Sequence, residues 1–232
     1  MNDLKNLENH IQFVSTFEDL ISTNCLDEKN AICWKRNLMG DFSEIVEQFE
    51  MVDSIVELDE EDLRELILSN EGQLARQILL QDLQLLKALG AAPILNLIKS
   101  YDRDDAFPFF PTDVYSFHVD RSPIPTHTFL CTYFGTASEI IPNSQAIQKI
   151  HVPEIRAELK KLYDGSEDGF EDFLTEHFFD LHYQATSNAQ IIDCGIGNLW
   201  KLAVDHQDNK SLPCVHRAPL EKNGQTRLLL IC

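Results

Sequence analysis

The sequence is short of what several protein classes need. Its six cysteines, at 25, 33, 131, 194, 214 and 232, form no Cys-x-x-Cys pair. That argues against a zinc knuckle or a dithiol redox motif and fits reduced thiols in a cytoplasm. No apolar run approaches the roughly 18 residues a membrane helix requires, so no membrane partner is expected. The opening MNDLKNLENH lacks the basic-then-apolar order of a secretory signal. Basic side chains are scarce, with 19 Lys and Arg against 38 Asp and Glu and a net charge of −19. Such a surface repels a phosphate backbone, and no local basic patch is visible, so nucleic acid is not an expected partner. A basic peptide or protein, or a cationic small molecule, suits the field, although the charge also serves solubility alone. The remaining totals, 232 residues with 44% hydrophobic and 25% charged, are ordinary for a globular chain able to bury a core without disulfides.

Two periodicities divide the chain. Residues 1–92 read as a helical region. Asp41 and Glu44 have the form of a capping box ahead of Phe42, Ile45, Val46 and Phe49 at helical spacing. Asp59 opens a second helix carrying Leu63, Leu66 and Ile67. Asn70 and Gln73 open a third, which ends at Gly90 and Pro93. Twelve acidic residues and one basic residue, Arg64, fall in 41–71, so these helices should expose an acidic face. Residues 93–232 read as strand, at 94–101, 114–120, 126–134, 189–193, 198–205, 212–217 and 226–231, with turn signals between them. A helical insertion at about 144–184 interrupts them. The class is therefore α+β.

His118-Val119-Asp120 raises the chemical question. Alternate strand residues share a face, so His118 and Asp120 point one way with Val114 and Ser116. Tyr115, Phe117 and Val119 point the other way. An imidazole and a carboxylate on one rigid face suit a divalent metal. With 8 histidines and 38 acidic residues, His-x-Asp/Glu should arise by chance about once per chain. It occurs here twice. His206-Gln207-Asp208 lies in a polar turn and reads as a solvated loop. For His118 the plain alternative is a core histidine bonded to its neighbouring aspartate.

The C-terminal PCVHRAPLEKNGQTRLLLIC supplies a second histidine. Asn223-Gly224 is a strong two-residue hairpin signal. With that turn, Lys222 faces Gln225, His216 faces Ile231, and Arg227 projects from the same face about 13 Å further along. A metal at His216 and the Arg227 guanidinium could then bracket a small dicarboxylate. His118, Asp120 and His216 would complete a two-histidine, one-carboxylate triad, with donor atoms about 3 Å apart around one ion.

The order of His-x-Asp, a distal His and an Arg 11 residues later resembles the Fe(II)/2-oxoglutarate-dependent dioxygenases. The likeness covers roughly residues 93–232. FLCTYFG with TASEIIP resembles the strand and turn after their His-x-Asp. CGIGNLWKL resembles the turn and strand before the distal His. The whole pattern is also similar to a poorly characterised bacterial branch of that superfamily. The resemblance implies a double-stranded β-helix, or jelly roll, with N-terminal helices supporting one sheet. It implies Fe(II) on His118, Asp120 and His216, and 2-oxoglutarate as cosubstrate paired with Arg227. The activity implied is hydroxylation, or a related oxidation, of a small-molecule or protein/peptide substrate. Two features depart from the pattern. The interval from His118 to His216 is long, and the insertion accounts for it. Leu229 stands where some members carry Ser two residues after the Arg. Two other readings stay open: a cupin-like metal protein that does not use 2-oxoglutarate, and a non-catalytic acidic interaction module.

Other motifs carry less. Gly195-Ile196-Gly197 is no dinucleotide fingerprint, because Trp200 stands at the third glycine position. His177 and His182, five apart, do not share a helix face and read as core or surface histidines. Cys131 and Cys214 read as packing residues. The insertion's SEDGFEDFLTEHFFD pairs an apolar stripe with six acidic residues. It is expected either to dock by Phe170, Phe173 and Phe178 at the cavity mouth and attract a cationic substrate, or to buttress a sheet.

Overall fold

Strand pairing sorts the chain into two sheets. The computed structural model describes residues 10–104, 106–220 and 224–232. The larger sheet has seven strands. They are β1 (Ile11–Val14), β2 (Ala31–Trp34), β3 (Ile55–Leu58), β4 (Ile94–Ile98), β6 (His127–Phe134), β11 (Leu199–Ala203) and β13 (Arg227–Ile231), in the order β1-β2-β11-β6-β13-β4-β3. The smaller has six: β5 (Phe117–His118), β7 (Glu139–Ile141), β8 (Ala146–Gln148), β9 (His182–Ala185), β10 (Ile192–Asp193) and β12 (Val215–Arg217). Their order is β10-β7-β12-β5-β9-β8. Every pairing between named strands is antiparallel except β1 with β2. The architecture is α+β, dominated by antiparallel sheets and compatible with a β-sandwich. No helix among the described residues is long and apolar enough to cross a membrane.

Alternation in β13 shows how the large sheet uses its faces. Leu228 and Leu230 join the core under the helices, with Leu95 and Leu97 of β4 and Phe129 and Tyr133 of β6. Leu229 and Ile231 point the other way, into a second cluster with Leu130 and Trp200. The helices α1 (Phe17–Ser22), α2 (Phe42–Glu47), α3 (Glu60–Glu65) and α4 (Asn70–Ala88) contribute to the first cluster. Along α4, Leu79, Leu83 and Leu86 are buried at a 3–4 residue spacing. Each such burial stabilises by about 1.5–3 kcal/mol.

The expected helices form, with local differences at their caps. Asp59 and Asp62 make a reciprocal capping box on α3. Ser69, one residue before the expected start, caps α4 by accepting from the Gly72 amide. Asp41 caps α2, but Glu44 does not return the bond. Its carboxylate instead accepts from the amide and hydroxyl of Ser69, tying α2 to the start of α4.

The first ninety-two residues are not purely helical. They supply β1, β2 and β3, each four residues long, which extend the large sheet at both edges. Strands this short carry too little alternation to stand out from helical flanks. The stretch 114–120 is also mostly turn, with the Ser116 amide donating to the Asp113 carbonyl; its ladder is confined to Phe117 and His118. The segment 144–184 holds α5 (Pro153–Lys161) and α6 (Phe170–Glu176), with β8 and β9 near its ends. Those two strands pair with each other, and β9 pairs with β5.

The C-terminal hairpin does not form. Lys222 and Asn223 lie outside the described residues, and Gly224 has the turn-like φ of +76°. Yet β12 and β13 belong to different sheets. His216 faces His118 and Ile140, whereas Ile231 faces Ile94 and Leu130. A hairpin ladder would run through Pro219, which has no amide to donate. The Ala218 amide donates instead to the Val114 carbonyl.

One buried polar knot ties α4 to the large sheet. Asp82 accepts from Arg36 at 2.8 Å and from the Tyr133 hydroxyl at 2.5 Å. Arg36 also donates to the Gly197 carbonyl at 2.8 Å. Burial drives the Tyr133 hydroxyl well above its usual pKa, so it stays a donor. Asp82→Ala would strand the Arg36 guanidinium, and a loss of about 3–5 kcal/mol in urea denaturation is expected.

Candidate metal centre

His118 and His216 stand directly opposite each other on β5 and β12. Their ring centroids are 4.5 Å apart. Asp120 follows His118 where the chain leaves the ladder. Its Oδ1 is 4.0 Å from His118 Nε2 and its Oδ2 is 3.6 Å from His216 Nε2. One ligand atom from each residue lies within 4.8 Å of the others. This is wider than the spacing of about 3 Å expected around a single ion, but the three groups converge on one point.

Hydrogen bonds behind the rings set which nitrogen faces that point. His118 Nδ1 lies 2.7 Å from the Ser116 carbonyl, and His216 Nδ1 lies 3.1 Å from the Cys214 carbonyl. A carbonyl only accepts, so in each neutral ring the proton sits on Nδ1 and the Nε2 lone pair faces inward. Asp120 turns its carboxylate to the same place, and Thr128 donates to its Oδ2 at 2.5 Å. With both rings neutral, three acceptors meet there. Two imidazole nitrogens and a carboxylate suit a divalent first-row ion, and the carbonyls behind the rings are the usual outer support of such ligands.

The electrostatics agree. Burial, aided by the neighbouring His216, pushes His118 down to about 4, so it is neutral at ordinary pH. For Asp120, burial pulls the pKa upward, but His216, the Thr128 hydroxyl and His118 together outweigh it and the net shift is downward.

The site opens into a cavity of about 210 Å³ between the sheets. Asn96, Ile98, Leu130, Leu229 and Ile231 of the large sheet line it, opposite His118, Asp120 and His216. Arg227 lies on the β13 face that carries Leu229 and Ile231, as the strand parity requires, but across the gap between sheets and not on a strand paired with β12. Its guanidinium donates to the Thr136 carbonyl at 2.8 Å, Tyr101 Oη at 3.4 Å and Ser138 Oγ at 3.2 Å. Tyr101 and Ser138 both line the metal cavity. Arg227 itself lines an adjoining hollow of about 20 Å³ that shares Ile98 and Tyr101. It is 7% exposed, and no carboxylate among the described residues pairs with it.

Other residues emerge that sequence reasoning passed over. Thr128, Tyr101 and Ser138 hold the site's polar side chains, and nothing in a single sequence distinguishes them. His182 stands in register opposite His118 on β9, with ring centroids 5.9 Å apart. It is buried, and its Nδ1 has no hydrogen-bond partner among the described residues. The signal for it was its place at the head of HYQA, a short alternating strand. His177 lies apart, packed on Phe173 and Phe179. His206 and Asp208 sit in a turn, with Asp208 70% exposed. Cys131 and Cys214 are buried free thiols.

Fold and site together define an α+β protein with a candidate divalent-metal centre between two antiparallel sheets. No family model, curated protein or solved structure matches the chain.

Two tests follow from this geometry. Thr128→Val removes the bond that orients Asp120, and Co(II) affinity should fall about 10–100-fold. The second concerns buried neutral histidines in the metal-free protein. Burial holds His182 at about 3, with His118 and Lys149 adding to the shift, and holds His127 at about 4. Unfolded histidines titrate near 6.5. Below that value the unfolded chain binds more protons, so these groups lose stability as pH falls toward 4. His182→Leu should therefore lose less of its urea midpoint than wild type between about pH 7 and about pH 5.

Proposed function

We propose that the protein is an Fe(II)- and 2-oxoglutarate-dependent oxygenase on a double-stranded β-helix, acting on a small-molecule or protein/peptide substrate. The observation that carries this reading is the convergence of His118 Nε2, His216 Nε2 and Asp120, with both Nδ1 positions committed to carbonyls. The strand order supports it. Strands β4-β13-β6-β11 of one sheet and β10-β7-β12-β5 of the other interleave along the chain as two wound halves would. Arg227 supports the cosubstrate, because a buried guanidinium without a counter-anion is costly unless an anion joins it.

In this reading His118, Asp120 and His216 hold the metal. Bound Fe(II) supplies dioxygen activation coupled to oxidative decarboxylation of 2-oxoglutarate. Thr128 fixes the rotation of the Asp120 carboxylate, and the Ser116 and Cys214 carbonyls fix both imidazole tautomers. Arg227 receives the distal carboxylate of the cosubstrate, with Tyr101 and Ser138 holding the guanidinium in place. Ile98, Leu130, Leu229 and Ile231 give the cavity an apolar floor that excludes water.

A metal-binding protein of cupin type, without 2-oxoglutarate, is favoured by one specific observation. Three guanidinium donors of Arg227 already have protein partners. Anaerobic Fe(II) titration with and without 2-oxoglutarate separates the readings. Both ligands bind in an oxygenase, metal alone in the second case, and neither in an acidic interaction module. In an oxygenase, Arg227→Ala should weaken 2-oxoglutarate by about 2–5 kcal/mol and leave Fe(II) affinity nearly unchanged. Arg227→Lys should recover only part, since the planar fork is lost. Equal 2-oxoglutarate affinity in wild type and Arg227→Ala removes the cosubstrate assignment.

A further inference from the structure

A groove of about 540 Å³ opens beside the metal cavity. Arg217, the residue after His216, lines both. The chain carries twice as many acidic as basic residues, yet Arg103, Lys149 and Arg217 all line this groove. Asp104 and Asp113 line it as well, but local donors occupy their oxygens. Asp104 accepts from the Ala106 amide and from the amide and hydroxyl of Thr112. Asp113 accepts from the amides of Tyr115 and Asp104. Glu139 binds Arg217, with both contacts at 2.6 Å.

Lys149 differs from these. It comes from the inserted segment and has no carboxylate within ion-pair distance among the described residues. Its ammonium donates to the Pro111 carbonyl at 3.2 Å and to Ser116 Oγ at 2.6 Å. It also lies 5.0 Å from the centre of the Phe110 ring, and Asp113 acts on its charge from beyond ion-pair distance; of its three donors, two have oxygen partners. Ser116 also links this lysine to the metal site, because its carbonyl receives His118 Nδ1 at 2.7 Å.

We propose that the groove is the substrate subsite of the metal centre and that it binds an oxyanion of the substrate, a carboxylate or phosphate, at Lys149. The proposal deepens the oxygenase reading and rests on it for the word substrate. Its sign is opposite to the cationic substrate expected from the insertion's acidic composition. Glu167 is engaged by Lys160 and Glu171 by Arg156. Phe178, at φ +59°, is 59% exposed and does not dock; Phe179 is buried in its place, beside Phe110 and Phe170.

The test uses the full wild-type chain, metal-free, with acetic anhydride footprinting near pH 8 read by mass spectrometry. Burial lowers Lys149 to about 8, so its free amine is available to the reagent there. Phosphate and acetate are the anionic probes and tetramethylammonium, which has no amine to acylate, is the cationic one; Lys149 is read relative to an exposed lysine, because phosphate also consumes anhydride. At an anion concentration about ten times a millimolar Kd, occupancy of about 90% should slow acylation of Lys149 about tenfold. Protection by phosphate alone assigns a phosphate group, by acetate alone a carboxylate, and by both an oxyanion site that takes either. Equal relative acylation with and without anions overturns the proposal, as does protection by tetramethylammonium alone. Lys149→Gln should weaken phosphate binding about tenfold or more in a calorimetric titration, with Lys149→Arg close to wild type. Because the footprint needs neither Fe(II) nor 2-oxoglutarate, the two readings can fail separately. Protection in a chain that takes up no Fe(II) sinks the oxygenase and leaves an anion site. In the loaded enzyme, a substrate whose turnover is not inhibited by the anion that protects Lys149 overturns the subsite assignment.

Discussion

The register between β5 and β12 is the constraint on which the site depends. His118 and His216 share a face only because they are directly opposed, and a one-residue slip would send one imidazole to the other side. A two-residue strand cannot hold that register by its own ladder. Bonds beyond it do so. The Val119 amide donates to the Leu181 carbonyl, the Asp205 amide to the Asp120 carbonyl, and the Ala218 amide to the Val114 carbonyl. Arg121, next to Asp120, is clamped by Asp180 and Asp205 at 2.5 and 2.7 Å. The three candidate ligands are thus fixed by neighbours outside the group.

The same interior concentrates polar groups that would be costly if left as they are. Three acceptors converge beneath one sheet, and a buried guanidinium without a carboxylate sits in the other. Removal from water disfavours each unless a partner of opposite character joins it. A cation at the first and an anion at the second would satisfy both, and each lines one of two hollows that share Ile98 and Tyr101 in their walls. The overall acidity of the chain says nothing of this, because charge at the surface and polarity between the sheets are separate matters.

Support reaches the two sheets from different parts of the chain. On the large sheet, α4 covers the face away from the cavity, and the Arg36–Asp82–Tyr133 knot holds it there. On the small sheet, the inserted segment adds β8 and β9 beside β5. This places His182 against His118 and Lys149 against Ser116. The aromatic cluster of Phe110, Phe170 and Phe179 packs the insertion onto the loop ahead of β5.

Much of this was legible locally. His118 and Asp120 could be set on one side by alternation, Arg227 shared a face with Ile231 by parity although the hairpin that tied this face to His216 does not form, and α2 and α3 announced themselves by their Asp41 and Asp59 caps, whereas α4 starts a residue early at Ser69. Each rests on geometry within a few residues. The partner of His216 was not legible, because Asn223-Gly224 suggested a local hairpin and the strands instead part into different sheets. Nor was His182, whose place depends on pairing with a strand distant in sequence. Strands β1, β2 and β3 were hidden because four residues carry little period. The sequence by itself determined which short segments present which side chains on one face, since backbone geometry sets that period. Only the tertiary structure decided which faces meet, because pairing between distant strands is selected by the burial and hydrogen bonding of the whole chain.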